Sequence, residues 1–155
     1  MSTTVAVITL LALSIRMYSR FEQASATWDS GVASTQVVDF AGLRTPATAV
    51  DLRWGYLNGL QDDAAVLSFR LPPGEVDGFA AGLGIERWTG TSSVQNVALE
   101  GLRRVGAPDP AASSSLREGE FELRPPAHEA VSTTVWLAPA ADGSTQVWVY
   151  AMNTP

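Results

Sequence analysis

Few residues in this chain are equipped for chemistry. It has 155 residues, one His and no Cys. All ten basic residues are Arg, so Lys is absent. No lysine Schiff base, P-loop lysine, Ser-x-x-Lys site or cysteine nucleophile can be built. A single His does not make a two-His zinc site. His128 stands in Pro125-Pro126-Ala127-His128-Glu129. It reads as an exposed residue at a strand entry, or as the base of a Ser–His–Asp arrangement. Asp62 and Asp63, close to Asn58 and Gln61, read as a solvated turn paired with Arg53, or as carboxylates for a metal or for acid–base catalysis. Glu118, Glu120 and Glu122 alternate along one strand. Neighbours on one face of a strand stand roughly 6–7 Å apart, too far for one row to enclose a Ca²⁺ that takes oxygens at ~2.3–2.6 Å. Gly82-Leu83-Gly84 begins like a dinucleotide loop, but Arg87 occupies the third glycine position, and no Gly-x-Ser-x-Gly elbow exists. No residue is therefore assigned a catalytic, cofactor-binding or metal role, and no cofactor is implied.

Trp136, Trp148 and Tyr150 form a different kind of set. They fall on one face of the last two strands. Left open, that face is a partner-binding surface; covered by helices, it is core.

The elements that would position these residues follow from periodicity. Val50–Tyr56 alternates, with Val50, Leu52, Trp54 and Tyr56 on one face, and Asn58-Gly59 signals a turn. Ala65, Leu67, Phe69 and Leu71 mark the core face of the next strand. A loop of two or four residues sets the two core faces together. Pro72-Pro73 closes that strand and opens a helix over Pro73–Leu83, capped by Gly84. Gly74, Gly78 and Gly82 on it predict close approach to the sheet. A second helix is expected over Ser93–Val105, capped from Thr91–Ser93, with Arg103 and Arg104 at its end and Gly106 stopping it. Residues 106–115 read as a loop. A strand with an acidic face covers 118–124. Val131–Ala138 and Thr145–Met152 then pair across a three-residue loop, Ala141-Asp142-Gly143, with Gly143 left-handed. In that register Val135 meets Val149, Trp136 meets Trp148 and Thr134 meets Tyr150. The expected class is α+β: an antiparallel sheet of about five strands with two helices on one face, preceded by an apolar N-terminal helix.

Thr3–Ile15 is uncharged and mostly apolar, and Arg16 and Arg20 follow it. Val5, Val7, Ile8, Leu10, Leu11, Leu13, Ile15 and Tyr18 would carry a single-pass membrane anchor, meeting lipid. Thirteen helical residues cover roughly 20 Å of a ~30 Å hydrocarbon core, so Arg16 must snorkel for the segment to reach further. A signal peptide cut after Ala24-Ser25-Ala26 and a helix buried in a soluble domain are the alternatives. Arg16 and Arg20, read by the positive-inside rule, place the domain in the cytoplasm. The chain then divides into the apolar helix at 1–21, a linker at 22–36 and an α+β domain at 37–155. Residues 1–30 carry two Arg against two acids, and residues 31–155 eight Arg against fourteen, so the domain holds the whole net charge of −6. That charge argues against nucleic-acid binding. The all-Arg basic complement reads as the composition of a GC-rich gene.

Thr45–Ala64 (TPATAVDLRWGYLNGLQDDA), with Leu71–Asp77 (LPPGEVD), is similar to a segment recurring in small secreted or membrane-anchored proteins of actinobacteria. The resemblance covers residues 45–84 and carries no catalytic residue. It implies an N-terminal anchor or lipoprotein signal and an extracytoplasmic domain, opposing the charge-based orientation. Lacking Cys, this chain departs from the lipoprotein members. Three functions are consistent with these readings. The first is a membrane-tethered, non-enzymatic module that binds a protein or envelope partner. The second is a hydrolase using Asp62 and Asp63. The third is a soluble accessory subunit docking through its N-terminal helix.

Overall fold

A computed structural model describes residues 27–59, 62–124 and 130–154. The expected anchor at 1–21, Ala24–Ala26, Gln61 and His128 lie outside the described residues. In chain order the elements are β1 (Trp28–Asp29), α1 (Ser34–Ala41), β2 (Val50–Leu57), β3 (Ala64–Leu71), α2 (Val76–Gly82), β4 (Thr89–Thr91) and α3 (Asn96–Arg104). A 3₁₀ turn (Pro110–Ala112), β5 (Leu116–Leu123), β6 (Ala130–Pro139) and β7 (Thr145–Thr154) complete them. One sheet runs β1-β2-β3-β7-β6-β5-β4, every neighbour antiparallel. The class is α+β, but among the described residues three helices form, not two, α1 being unforeseen, and the sheet has seven strands, not about five. The unexpected ones, β1 and β4, have two and three residues, too few to show alternation. β1 and the start of α1 also draw part of the stretch expected as linker into the domain.

The helices do not share one face. On one side, α1 and α2 bury Val37, Ala41 and Phe79 against Leu67, Phe69, Val135, Leu137, Val147 and Val149. On the other, Ala98 and Leu102 of α3 lie over Val66, Trp136, Trp148 and Tyr150. The cause is in the central strands. β3, β6 and β7 are apolar at both parities, so a sheet covered on one side alone would leave two Trp and a Tyr in water. Trp136, Trp148 and Tyr150 are 0%, 2% and 3% exposed. The aromatic face is the covered one; these residues are core and not a docking surface. Trp148 Nε1 donates to Pro108 O at 2.8 Å, pinning the loop that follows α3.

Register follows the hydrophobic pattern. Trp136 pairs with Trp148, Val135 with Val149 and Thr134 with Tyr150. Gly143 has φ 81°, Gly143 N–H bonds Ala140 O at 3.1 Å, and Ala140 N–H bonds Ser144 O at 2.8 Å, which is the expected three-residue loop. In the first hairpin Leu57 pairs with Ala64, so six residues join the strands, not two or four; the loop is still even in length, and Trp54 faces Leu67 and Tyr56 faces Ala65. A second expectation fails there. Between Val50↔Arg70 and Arg53↔Ser68, β2 has one residue more than β3, a bulge in which Asp51 takes φ 56°. Arg70 Nη2 lies 2.9 Å from Asp51 Oδ2 and braces it. The extra residue turns Val50 off the Leu52/Trp54/Tyr56 face, and it is 47% exposed.

The two expected helices form within their windows, with different details. α3 begins after Gln95 with no side-chain cap. Thr91 and Ser93, expected to cap it, hydrogen-bond each other. Gly106 (φ 71°) ends it, with Arg103 and Arg104 in the last turn. On α2, side-chain carbons at Gly78 and Gly82 would meet nothing within 4 Å, as at Gly74 before it. The glycines do not mark close approach to the sheet; they face open space.

Candidate functional site

Among the described residues, the short edge strands leave two stretches of sheet edge unpaired. β1 covers β2 only at Tyr56 and Leu57, and β4 covers β5 only at Leu116–Glu118. The β2 edge is blunted. Its bulge breaks the regular spacing of backbone groups, and Trp54 Nε1 donates to Val32 O at 2.8 Å, holding the chain after β1 against it. The β5 edge differs. Its register with β6 runs unbroken from Arg117 to Leu123. Among the described residues no strand pairs with Gly119–Leu123 on the side away from β6.

The chain leaves this edge just before β4 because Ile85 and Trp88 fold onto Gly119. A side-chain carbon there would stand 2.7 Å from Ile85 Cγ2 and 3.0 Å from Trp88 Cε3, so glycine admits the contact. The Arg117 guanidinium lies over the Trp88 ring, 5.6 Å from its centre. The result is an open groove of about 540 Å³ along β5, lined by Glu86, Arg87, Glu118, Glu120, Phe121 and Glu122, with Gly84, Thr89 and Gly119. Four carboxylates there face one guanidinium. Glu118 Oε2 accepts from Trp136 Nε1 at 2.6 Å, which ties the groove to the core. Glu122 pairs with Arg124. Glu120 is exposed, 3.5 Å from the Thr134 hydroxyl.

Asp62 and Asp63 are placed differently. Asp63 accepts from the Tyr56 hydroxyl at 2.8 Å and Gly59 N–H at 3.2 Å, while its carbonyl accepts Asn153 N–H at 3.1 Å. It ties the β2–β3 loop to the end of β7, and its side-chain partner is Tyr56, not Arg53. Asp62 is exposed. Neither carboxylate lines the β5 groove. Burial, then the Asp63 hydrogen bond and charge, push the Tyr56 hydroxyl up to about 12. Tyr150 is also raised, by burial and then by Asp62. A raised value means the neutral phenol is favoured by folding. That contribution is complete below the ordinary value of 10 and is lost as pH rises from 10 through about 12. Tyr56→Phe is therefore expected to cost about 1 kcal/mol at neutral pH and to show a shallower fall of Tm across the alkaline range than wild type. Thermal melts of both proteins across that range test this, and parallel curves would refute it.

A second open groove, about 560 Å³, lies between α2 and the chain after α1, lined by Arg44, Glu75, Phe79 and Leu83 with the open faces of Gly78 and Gly82. Glu75 accepts a hydrogen bond from the Thr48 hydroxyl. Among the described residues no three or more His, Asp or Glu form a group able to hold a metal ion, and no helix is long and apolar enough to cross a membrane. Compared with known protein families, curated proteins and solved structures, the chain finds no match.

The acidic face of β5 was readable as alternation. The open edge was not, because it depends on β4 stopping after three residues and on Trp88 folding away.

Proposed function

We propose that this chain is a non-enzymatic binding module that engages a protein or envelope partner through the acid-lined β5 groove. The observation that carries the reading is the regular edge of Gly119–Leu123 beside that groove, with which no strand pairs among the described residues on the side away from β6. The alternative surface offered by the sequence, the aromatic face, is buried. Asp62 and Asp63 stand outside the groove, and Asp63 serves a turn. The module is held at a membrane by the apolar residues Val5–Tyr18 and displayed on the extracytoplasmic side. That part of the reading rests on the sequence: the apolar run, and the likeness of residues 45–84 to membrane-anchored actinobacterial proteins.

The test is positional. A photo-crosslinking residue at Glu120 is expected to give discrete adducts in cells. The same residue at Glu100, on the exposed side of α3, is expected to give none. Absent adducts at Glu120, or equal adducts at both, would refute the site. A reporter fused after Pro155 is expected to be active only outside the cytoplasm, and cytoplasmic activity would refute the topology.

A further inference from the structure

We infer that the β5 edge takes an extended peptide as an added strand, and that the peptide alternates basic and apolar residues. The inference rests on the binding reading above and names the chemistry of its partner. It starts from backbone geometry. An edge strand offers N–H and C=O groups at a fixed repeat, and a free extended segment can satisfy them. Two features qualify β5, and the first of them disqualifies β2, whose register a bulge breaks. The first is the unbroken register from Arg117 to Leu123. The second is that β4 already occupies the same line over Leu116–Glu118, so an incoming strand continues it over the next five residues, Gly119–Leu123.

The side chains then select the peptide. Successive residues of β5 point to opposite faces. Glu120 and Glu122 point to the face that carries Trp136 and Tyr150; Gly119, Phe121 and Leu123 point to the other. Residues opposite one another in an antiparallel pair share a face, with side chains about 5 Å apart, and opposite charges there attract. The complementary segment thus reads apolar-basic-apolar-basic-apolar. A second copy of this chain fits poorly. β5 against β5 places one row of carboxylates against another, between molecules each carrying a net charge of −6. Charged edges also serve to block self-association. That role and peptide docking both predict a monomer, but only docking predicts an alternating peptide bound through its backbone.

The test uses the full chain and synthetic peptides carrying Val-Arg-Val-Arg-Val, capped at both ends. The parent peptide is expected to bind by fluorescence anisotropy and to slow amide exchange within Gly119–Leu123. Val-Glu-Val-Glu-Val is expected not to bind. Two N-methylated isomers supply the decisive comparison. Methylating the N–H groups along one peptide edge is expected to weaken binding about tenfold or more, and methylating the opposite edge to leave it near the parent value. Glu120→Gln with Glu122→Gln is expected to weaken binding about threefold to tenfold and flatten its salt dependence, with the fold intact because both side chains lie at the surface. Equal binding by the two isomers would mean electrostatic adhesion without strand addition and would overturn the inference. So would no binding by the parent, protection elsewhere, or a concentration-dependent dimer by sedimentation. The crosslink at Glu120 separates the two levels. Adducts there with no peptide binding overturn only the peptide chemistry; no adducts overturn the wider reading as well.

Discussion

Trp136→Ala is expected to lower the unfolding free energy by about 3–5 kcal/mol. The indole is fully buried at the middle of β6. It pairs across the strand with Trp148 and lies in the same core as Ala98 and Leu102 of α3. Truncation leaves a cavity that two paired, hydrogen-bonded strands cannot collapse into. Trp148 is held by Pro108 and is not free to fill it. Domains of this size commonly have ~5–15 kcal/mol of stability, so the loss is a large fraction of the total. Trp136→Phe separates two contributions. It keeps much of the volume and removes the Nε1 bond to Glu118, so about 1–2 kcal/mol is expected. Glu118 is partly exposed and can recover a water, which holds this cost down. Urea unfolding of the full chain measures both. A loss below about 1.5 kcal/mol for the Ala variant would mean that α3 does not close this face. The phenylalanine variant is also expected to loosen Glu118 at the groove, visible as a weaker response to a basic peptide.

How much of this could be read from the sequence depended on the range of the interaction. The β6–β7 register was legible because loop length, Gly143 and face parity all constrain one local pairing. The β2–β3 pairing was legible from face parity alone, since its loop is six residues long and not two or four, and it was not legible at Asp51. A bulge there adds one residue, and its brace, Arg70, comes from the neighbouring strand. The helix count per face was not legible. Val147, Val149 and Ala151 at one parity, and Trp148 and Tyr150 at the other, already say that β7 is buried on both faces. Which helix covers which face is set by β3 pairing with β7, a contact between distant segments. The glycines of α2 show the same limit: their spacing is a local fact, while what stands opposite them is not.

The candidate site was legible in its chemistry and not in its accessibility. Glu118, Glu120 and Glu122 read as a solvated acidic face, and the structure keeps Glu120 and Glu122 at the surface. The row becomes a groove only because Gly119 admits Ile85 and Trp88, lifting the chain off the edge beyond β4. Arg117 was counted in the sequence only as charge. The structure places it over the Trp88 ring, beside the groove and not in its lining.

Gly42→Ala is expected to cost about 2–4 kcal/mol, from two separable sources. Gly42 ends α1 in the left-handed region at φ 66°. Its N–H bonds Asp39 O at 3.1 Å, and Leu43 N–H bonds Val38 O at 3.1 Å. These are the two bonds of a Schellman end, and they require that backbone angle. A side chain there carries a conformational penalty of about 1 kcal/mol. The second source is steric. The new carbon would stand 1.8 Å from Leu123 Cδ1, so Leu123 at the end of β5 must move, at about 1–3 kcal/mol. Gly106 supplies the internal control. It ends α3 at φ 71° with equivalent bonds, Gly106 N–H to Arg103 O and Ala107 N–H to Leu102 O. A carbon at Gly106 would meet nothing within 4 Å. Gly106→Ala therefore isolates the backbone contribution, and about 1 kcal/mol is expected. Because Leu123 closes the far end of the open edge, Gly42→Ala is also expected to speed amide exchange at Phe121–Leu123, and Gly106→Ala is not. Leu123→Ala in the Gly42→Ala background should relieve the overlap, so the double variant loses less than the sum of the singles. Strict additivity, or equal costs at Gly42 and Gly106, would show that α1 does not press on β5 and that the groove is built without it.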